Sequence, residues 1–426
     1  REFPPWVENS NELSEIGGGN DMTCSNFQSK TDQPNLAHPE VQQMAKDFVS
    51  IATKLLLQKY GKCIESISPT FNNEFETRYT QTFGMMRDYS DSSVSSYKEW
   101  QVQKGLSSST SLAVEPPHLP CHSICSPIMD KETWKWLAFR EEFLSERYLE
   151  LCKIVKEGGR LEEEEDSKVL YDNPGCLLHF GEMFTSTDHL NSNIFFKMAK
   201  SEYVDHVVMD SNMALFGTAS SPSIVGIIVS TAQAYGKMVH YEAATERILP
   251  CDEKGNLDEE IIQKLDRDRG VSLLFESGVS RALEAGVHTL GVTNLCDPSA
   301  ISRLLNKNSE NVKNTAGIGL QTASSFEPSA VIFVPHQAFY AWGFVISGWS
   351  CKTKYKDCWH DSFDEVPRFG HGVHNRQTGK CNVDVAQDAL ISVWDDLRTR
   401  HLHVAIISDP TMLTDDLLKA SKERVL

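Results

Sequence analysis

The chain has 426 residues, of which 40% are hydrophobic and 23% charged, values ordinary for globular proteins. This composition excludes disorder, collagen and coiled coil as descriptions of the whole chain. Lys+Arg number 41 against 59 Asp+Glu, and the resulting net charge of −18 excludes nucleic acid as a general partner and disfavours anionic membrane.

Residues 1–35 are rich in Gly, Asn, Ser and Pro and predict an irregular lead-in to one large domain over 36–426. The opening Arg1-Glu2-Phe3-Pro4-Pro5-Trp6 has neither Met nor signal peptide and reads as processed or trimmed, which leaves room for an upstream membrane anchor. No run reaches the roughly 18 apolar residues of a spanning helix. From Pro39 to Tyr60, Val41, Met44, Phe48, Ile51, Leu55 and Leu56 recur at helical spacing. The Ser-rich stretch 89–112 reads as a loop. Asp130 to Glu157 predicts a long helix, capped by Asp130 and stopped by Gly158-Gly159. The acidic run Glu162 to Asp166 reads as a solvated face.

Further helices are expected over Ser221–Tyr235 and Leu257–Leu283, the second interrupted near Asp266–Gly270. Val331-Ile332-Phe333-Val334 and Phe344-Val345-Ile346 are strand-like. Val383 to Leu397 is helical again, with Val383, Ala386, Leu390, Val393, Trp394 and Leu397 on one face. The expected fold class is mainly α with a small β portion, the β-rich meander and cysteine loop lying at about 330–381.

The 11 cysteines are odd in number and irregular in spacing, which predicts mostly reduced thiols and an intracellular setting. Most isolated motifs have a bland reading. Gly17-Gly18-Gly19 lacks the Lys and helix start of a phosphate loop. His118, Cys121, His122 and Cys125 do not match a common zinc spacing. His401-Leu402-His403 and Lys352 read as surface residues.

One stretch is more specific. Asp357-Cys358-Trp359-His360 continues through Pro367-Arg368-Phe369 into Gly370-His371-Gly372-Val373-His374, and Cys381 follows just before the last predicted helix. Upstream, in order, stand Glu115-Pro116-Pro117-His118, Asp297-Pro298-Ser299 and Leu320-Gln321-Thr322. Together these resemble the haem-binding end and earlier landmarks of the cytochrome P450 family. The resemblance implies a mainly helical haem domain with haem b bound through Cys381. It makes Arg368, His374 and His118 partners of the propionates, with Gly372 admitting the porphyrin closely. It implies a haem-thiolate oxidoreductase acting on a lipophilic small molecule, with a reductase as redox partner. It also implies the cytosolic face of the endoplasmic reticulum membrane if an anchor has been removed, and otherwise the cytoplasm.

Apart from the family, Cys381 lies beside Lys380 and ahead of a helix N-terminus, and both stabilise a thiolate. A thiolate on haem iron favours O–O cleavage. Several positions depart from the family pattern. Arg376 stands where the cysteine usually falls, Cys381 comes seven residues after His374, and Ala316 and Gly319 replace the usual Glu-x-x-Arg pair. Counting back from Asp297-Pro298 puts Ser280 and Arg281 at the distal catalytic positions, with Arg281 replacing the usual threonine. Peroxide-driven or rearrangement chemistry then joins monooxygenation as the expectation.

Two alternatives remain. One is a haem-free scaffold of the same fold. The other is an α/β enzyme for a phosphorylated ligand or pyridoxal phosphate: Ala285-Gly286-Val287-His288-Thr289-Leu290-Gly291-Val292-Thr293-Asn294 reads as helix, turn and buried strand, as in phosphosugar-binding sheets, and Asp252 to Leu265 is similar to pyridoxal-phosphate enzymes.

Overall fold

The computed structural model describes residues 14–16, 30–70, 77, 88–116, 131–160, 174–180, 191–212, 222–244, 282–283, 285–292, 330–333, 374–375, 380–400 and 404–407. Its elements begin with β1 (Ser14–Ile16), β2 (Lys30–Pro34), α1 (Pro39–Tyr60), β3 (Ser66–Ile67), α2 (Asp91–Gln103) and α3 (Lys131–Lys156). They continue with β4 (Gly175–Phe180), α4 (Asn191–Met198), β5 (His206–Asn212), α5 (Pro222–Ala234), β6 (Met238–Ala244) and β7 (Thr289–Val292). The last are β8 (Ala330–Phe333), β9 (His374–Asn375), β10 (Lys380–Cys381), α6 (Asn382–Thr399) and β11 (Val404–Ile407).

Five strands form one sheet in the order β3-β4-β5-β6-β7. It is parallel, with α4 between β4 and β5 and α5 between β5 and β6. Strand, helix and adjacent parallel strand in succession define an α/β architecture. This overturns the expected mainly helical, cytochrome P450-like fold. The helical periods were real, but they were not the whole framework. Short apolar runs such as Val207-Val208-Met209 enter the parallel sheet, and a run that short does not distinguish strand from helix.

The chain divides into two compact units. The first comprises Arg1–His179, Ser186–His206 and Tyr340–Lys356. Here α1 follows its predicted bounds, with Pro39 in its first turn, where a missing N–H costs nothing. Val41, Ala45, Val49, Thr53 and Leu57 recur every four residues and are buried, and α1 packs against α3. Burying one such Val or Leu contributes about 1.5–3 kcal/mol. At the end of α3, Gly158 and Gly159 take positive φ (69° and 86°) and stop the helix as expected. The Ser50 hydroxyl donates to the Gly159 carbonyl.

The Ser-rich stretch expected to be a loop contains α2. Ser90 caps it, its Oγ accepting from the Ser93 N–H at 3.3 Å and from Asn35 Nδ2 at 2.8 Å. Tyr97 from α2 and Trp136, Phe139 and Phe143 from α3 form an aromatic core with Ala37, against which Tyr89 and Trp100 pack. Tyr97 meets Trp136 edge-on with ring centroids 5.0 Å apart. Burial pushes the phenols of Tyr89 and Tyr97 above their ordinary range, and for Tyr89 the charge of Arg140 works against the rise.

A disulfide joins Cys152 of α3 to Cys176 of β4, both fully buried. The expectation of reduced thiols does not hold for this pair, whereas Cys63 is an exposed free thiol. Beside the bridge, the Cys176 N–H donates to Asp205 Oδ2 at 3.1 Å, and Lys156 Nζ lies 2.8 Å from Asp205 Oδ1. The parallel β3/β4 pair sets Ser66 against Gly175 and Ile67 against Cys176.

The second unit comprises Phe180–Thr185, Val207–Phe339 and Asp357–Leu426. Helix α5 begins with Pro222, as its Ser-Pro start predicts, and buries Val225, Ile227, Ile228, Val229 and Ala232. Residues buried all round a helix mark an interior one. It packs on β6, β11 and α6. Strand β8 falls on the predicted apolar run and pairs in parallel with β11, Ala330 against Val404. Helix α6 also matches its predicted span and buries Leu390, Trp394 and Leu397. The expected helix over 257–283 lies outside the described residues except for 282–283, which are helical; residues 344–346, 162–166 and 401–403 lie outside them too. Among the described residues no helix is long and apolar enough to cross a membrane.

Candidate functional site

Of the residues expected to carry haem chemistry, Ser280, Arg281, Arg368, His118 and Gly372 lie outside the described residues. The other two come together in register. The short antiparallel ladder of β9 and β10 sets Cys381 directly opposite His374 and Lys380 opposite Asn375. Helix α6 starts at the next residue, Asn382. The backbone thus sets Cys381 one residue ahead of the first residue of α6. Among the described residues, no group of three or more His, Cys, Asp or Glu is positioned to hold a metal ion.

A different polar group is built across β6 and β7. These strands run parallel, with His240 against Thr289, Tyr241 against Leu290 and Glu242 against Gly291. Side chains alternate along a strand. Val239 and Tyr241 are buried, whereas His240 and Glu242, on the other face, are half-exposed. On β7, Thr289 and Gly291 are exposed and Leu290 is half-buried. His240, Glu242, Thr289 and Gly291 therefore share one face of the sheet.

His240 Nδ1 and Thr289 Oγ1 share a hydrogen bond of 2.7 Å. The His288 ring meets His240 edge-to-face, with centroids 5.3 Å apart. Backbone and side-chain hydrogen bonds tie this corner together. The His288 N–H donates to the Val239 carbonyl at 2.7 Å. Gln233 at the end of α5 donates from Nε2 to the carbonyls of Ala285 and Gly286 at 2.6 and 3.1 Å. Gly286 has φ 81°, a turn conformation that favours glycine. In the stretch read as helix, turn and buried strand, Ala285-Gly286 form a turn rather than a helix, and the strand that follows, β7, is exposed on one face rather than buried.

The row combines an imidazole, a hydroxyl, and a carboxylate two residues further along β6. Glu242 and Gly291 lie nearest the carboxyl ends of the two strands. His288, Thr289 and Gly291 fell within the stretch singled out from the sequence; His240 and Glu242 did not. The alternation Val239-His240-Tyr241-Glu242 is the signal that could have marked them.

No protein-family model matches this sequence, and no curated protein is similar to it.

Proposed function

We propose that the chain is an α/β enzyme performing acid–base chemistry on a phosphorylated small molecule at the carboxyl ends of β6 and β7. The observation that carries this reading is β7 itself. It emerges from a helix and a glycine turn, runs parallel to β6 and leads to Thr293-Asn294. Ligands of parallel α/β sheets and barrels bind at the carboxyl ends of the strands, where following loops offer backbone N–H groups to phosphate oxygens.

Glu242 stands near that end and serves as the proton-transferring carboxylate. His240, oriented by Thr289, is the neighbouring polar contact. A row of His, Thr and Glu suits a hydrophilic substrate better than the lipophilic one that the haem resemblance implies. Isothermal titration with ribose 5-phosphate and inorganic phosphate tests the reading. Saturable binding of both is expected; binding of neither overturns it.

A second reading assigns Cys381 as the thiolate ligand of a haem iron, supported by its place opposite His374 at the start of α6. Haem would supply oxidative chemistry at its iron. The purified protein would then be coloured, with a Soret band that moves on adding carbon monoxide after reduction. A colourless protein that takes up no added haem rejects this assignment.

A further inference from the structure

Gly291 is the residue of the polar row for which the described residues supply no steric or conformational reason. Glycine inside a strand costs about 0.5–1 kcal/mol relative to alanine, so its presence calls for a cause. Other glycines of the protein have one. Gly159 combines a φ of +86° with a position where a Cβ would lie 2.5 Å from the Ser50 carbonyl oxygen. At Gly175 a Cβ would lie 2.5 Å from Cδ2 of the His206 ring.

Gly291 has neither feature. Its φ is not in the left-handed region, and among the described residues a Cβ there would meet only the Tyr241 carbonyl oxygen, at an ordinary 3.7 Å. The residue is exposed, and its strand is the last in the order β3-β4-β5-β6-β7. The missing side chain leaves a low place on the sheet face. Glu242 borders it across the ladder, and the His240–Thr289 pair lies two residues back on the same face.

We infer that this low place receives the polyhydroxylated body of a sugar phosphate, lying over Gly291 between Glu242 and the His240–Thr289 pair. A carboxylate accepts hydrogen bonds from vicinal hydroxyls and repels an anion, so the hydroxylated carbons, not the phosphate, sit beside Glu242. The imidazole and the threonine hydroxyl exchange hydrogen bonds with further hydroxyls. The phosphate then points toward the carboxyl ends of β6 and β7. This inference rests on the phosphate-binding reading above and adds the substrate class.

The test compares wild type with Gly291→Ala and Glu242→Gln, titrating ribose 5-phosphate, free ribose and inorganic phosphate separately and recording each protein's melting temperature. The expected result is an unchanged or slightly raised melting temperature for Gly291→Ala. Its affinity for ribose 5-phosphate should fall roughly tenfold or more, with inorganic phosphate binding kept. Glu242→Gln should likewise weaken ribose 5-phosphate and spare inorganic phosphate. Equal ribose 5-phosphate affinity in wild type and Gly291→Ala overturns the inference and leaves the phosphate reading standing. A clear drop in the melting temperature of Gly291→Ala also overturns it, because the glycine would then be structural. If wild type binds neither phosphate compound, the phosphate reading fails and the inference with it.

Discussion

Gly175 and Glu146 show how single positions in the first unit are constrained. Gly175 lies against the buried His206 ring, and any Cβ would reach 2.5 Å from Cδ2 and 2.7 Å from Nε2. The imidazole is packed and cannot move aside cheaply. Gly175→Ala is therefore expected to lose about 1–3 kcal/mol of stability, the usual cost of overpacking, read as a lower urea midpoint. Glu146 on α3 is solvent-exposed, and desolvation first and the carboxylate of Glu142 next hold it above the ordinary carboxylate range, an effect that solvent screening keeps small. Arg147 and Lys104 oppose the rise, and Glu150 adds to it. A raised acid pKa means that the folded protein holds the proton more tightly than the unfolded chain. Stability from this group is thus highest below the unfolded value of about 4.3 and is lost as pH rises through the folded value. Glu146→Gln should accordingly be slightly more stable than wild type at neutral pH, and the two urea midpoints should converge in acid. A variant less stable at neutral pH would contradict the direction of the shift.

At the scale of elements, the end of α3 is fastened to the sheet in two ways. The Cys152–Cys176 bridge is covalent, and Asp205 adds bonds to the Cys176 N–H and to Lys156. Cross-linking residues 24 apart in sequence restricts the unfolded chain by about 3 kcal/mol in the chain-entropy model. Replacing both cysteines with serine should cost about 2–4 kcal/mol by chemical denaturation, and dithiothreitol should then no longer lower the midpoint through this bridge. A non-reduced digest should contain the Cys152 and Cys176 peptides linked. Finding both thiols alkylated without reduction would exclude the bridge. The Lys156–Asp205 pair is partly solvated and adds little alone, since such pairs contribute roughly 0–1 kcal/mol.

At the scale of the whole molecule, circular dichroism should carry a substantial strand contribution beside the helical one, as a parallel sheet flanked by helices requires. A purely helical spectrum would contradict the sheet. Much of the helical part was legible in the residues. The spans 39–60, 131–156, 222–234 and 382–399 show themselves because a period of 3.6 is written along one segment and needs no distant partner. The Ser-rich α2 hid because its stop-start composition resembles a loop, and its cap depends on Asn35, 55 residues away. The apolar runs of β4 and β5 do not tell strand from helix, the alternation along β6 marks a strand without naming its partner, and the motif-like segments around Cys381 supplied an order of landmarks without the packing that gives them meaning. The candidate site was half legible for the same reason. Thr289 and Gly291 stood in a recognisable helix–turn–strand segment, yet Thr289 meets His240 across 49 residues of chain. The sequence by itself determined where four of the helices run and that the chain is acidic, because these are local or additive properties; in α1 the apolar residues Phe48, Ile51 and Leu55 stay exposed while Val41, Ala45, Val49, Thr53 and Leu57 are buried, so which face packs was not among them. Only the tertiary structure decided that short apolar runs become neighbouring parallel strands and that His240, Glu242, Thr289 and Gly291 share one face, because strand pairing is a contact between segments that carry no record of each other.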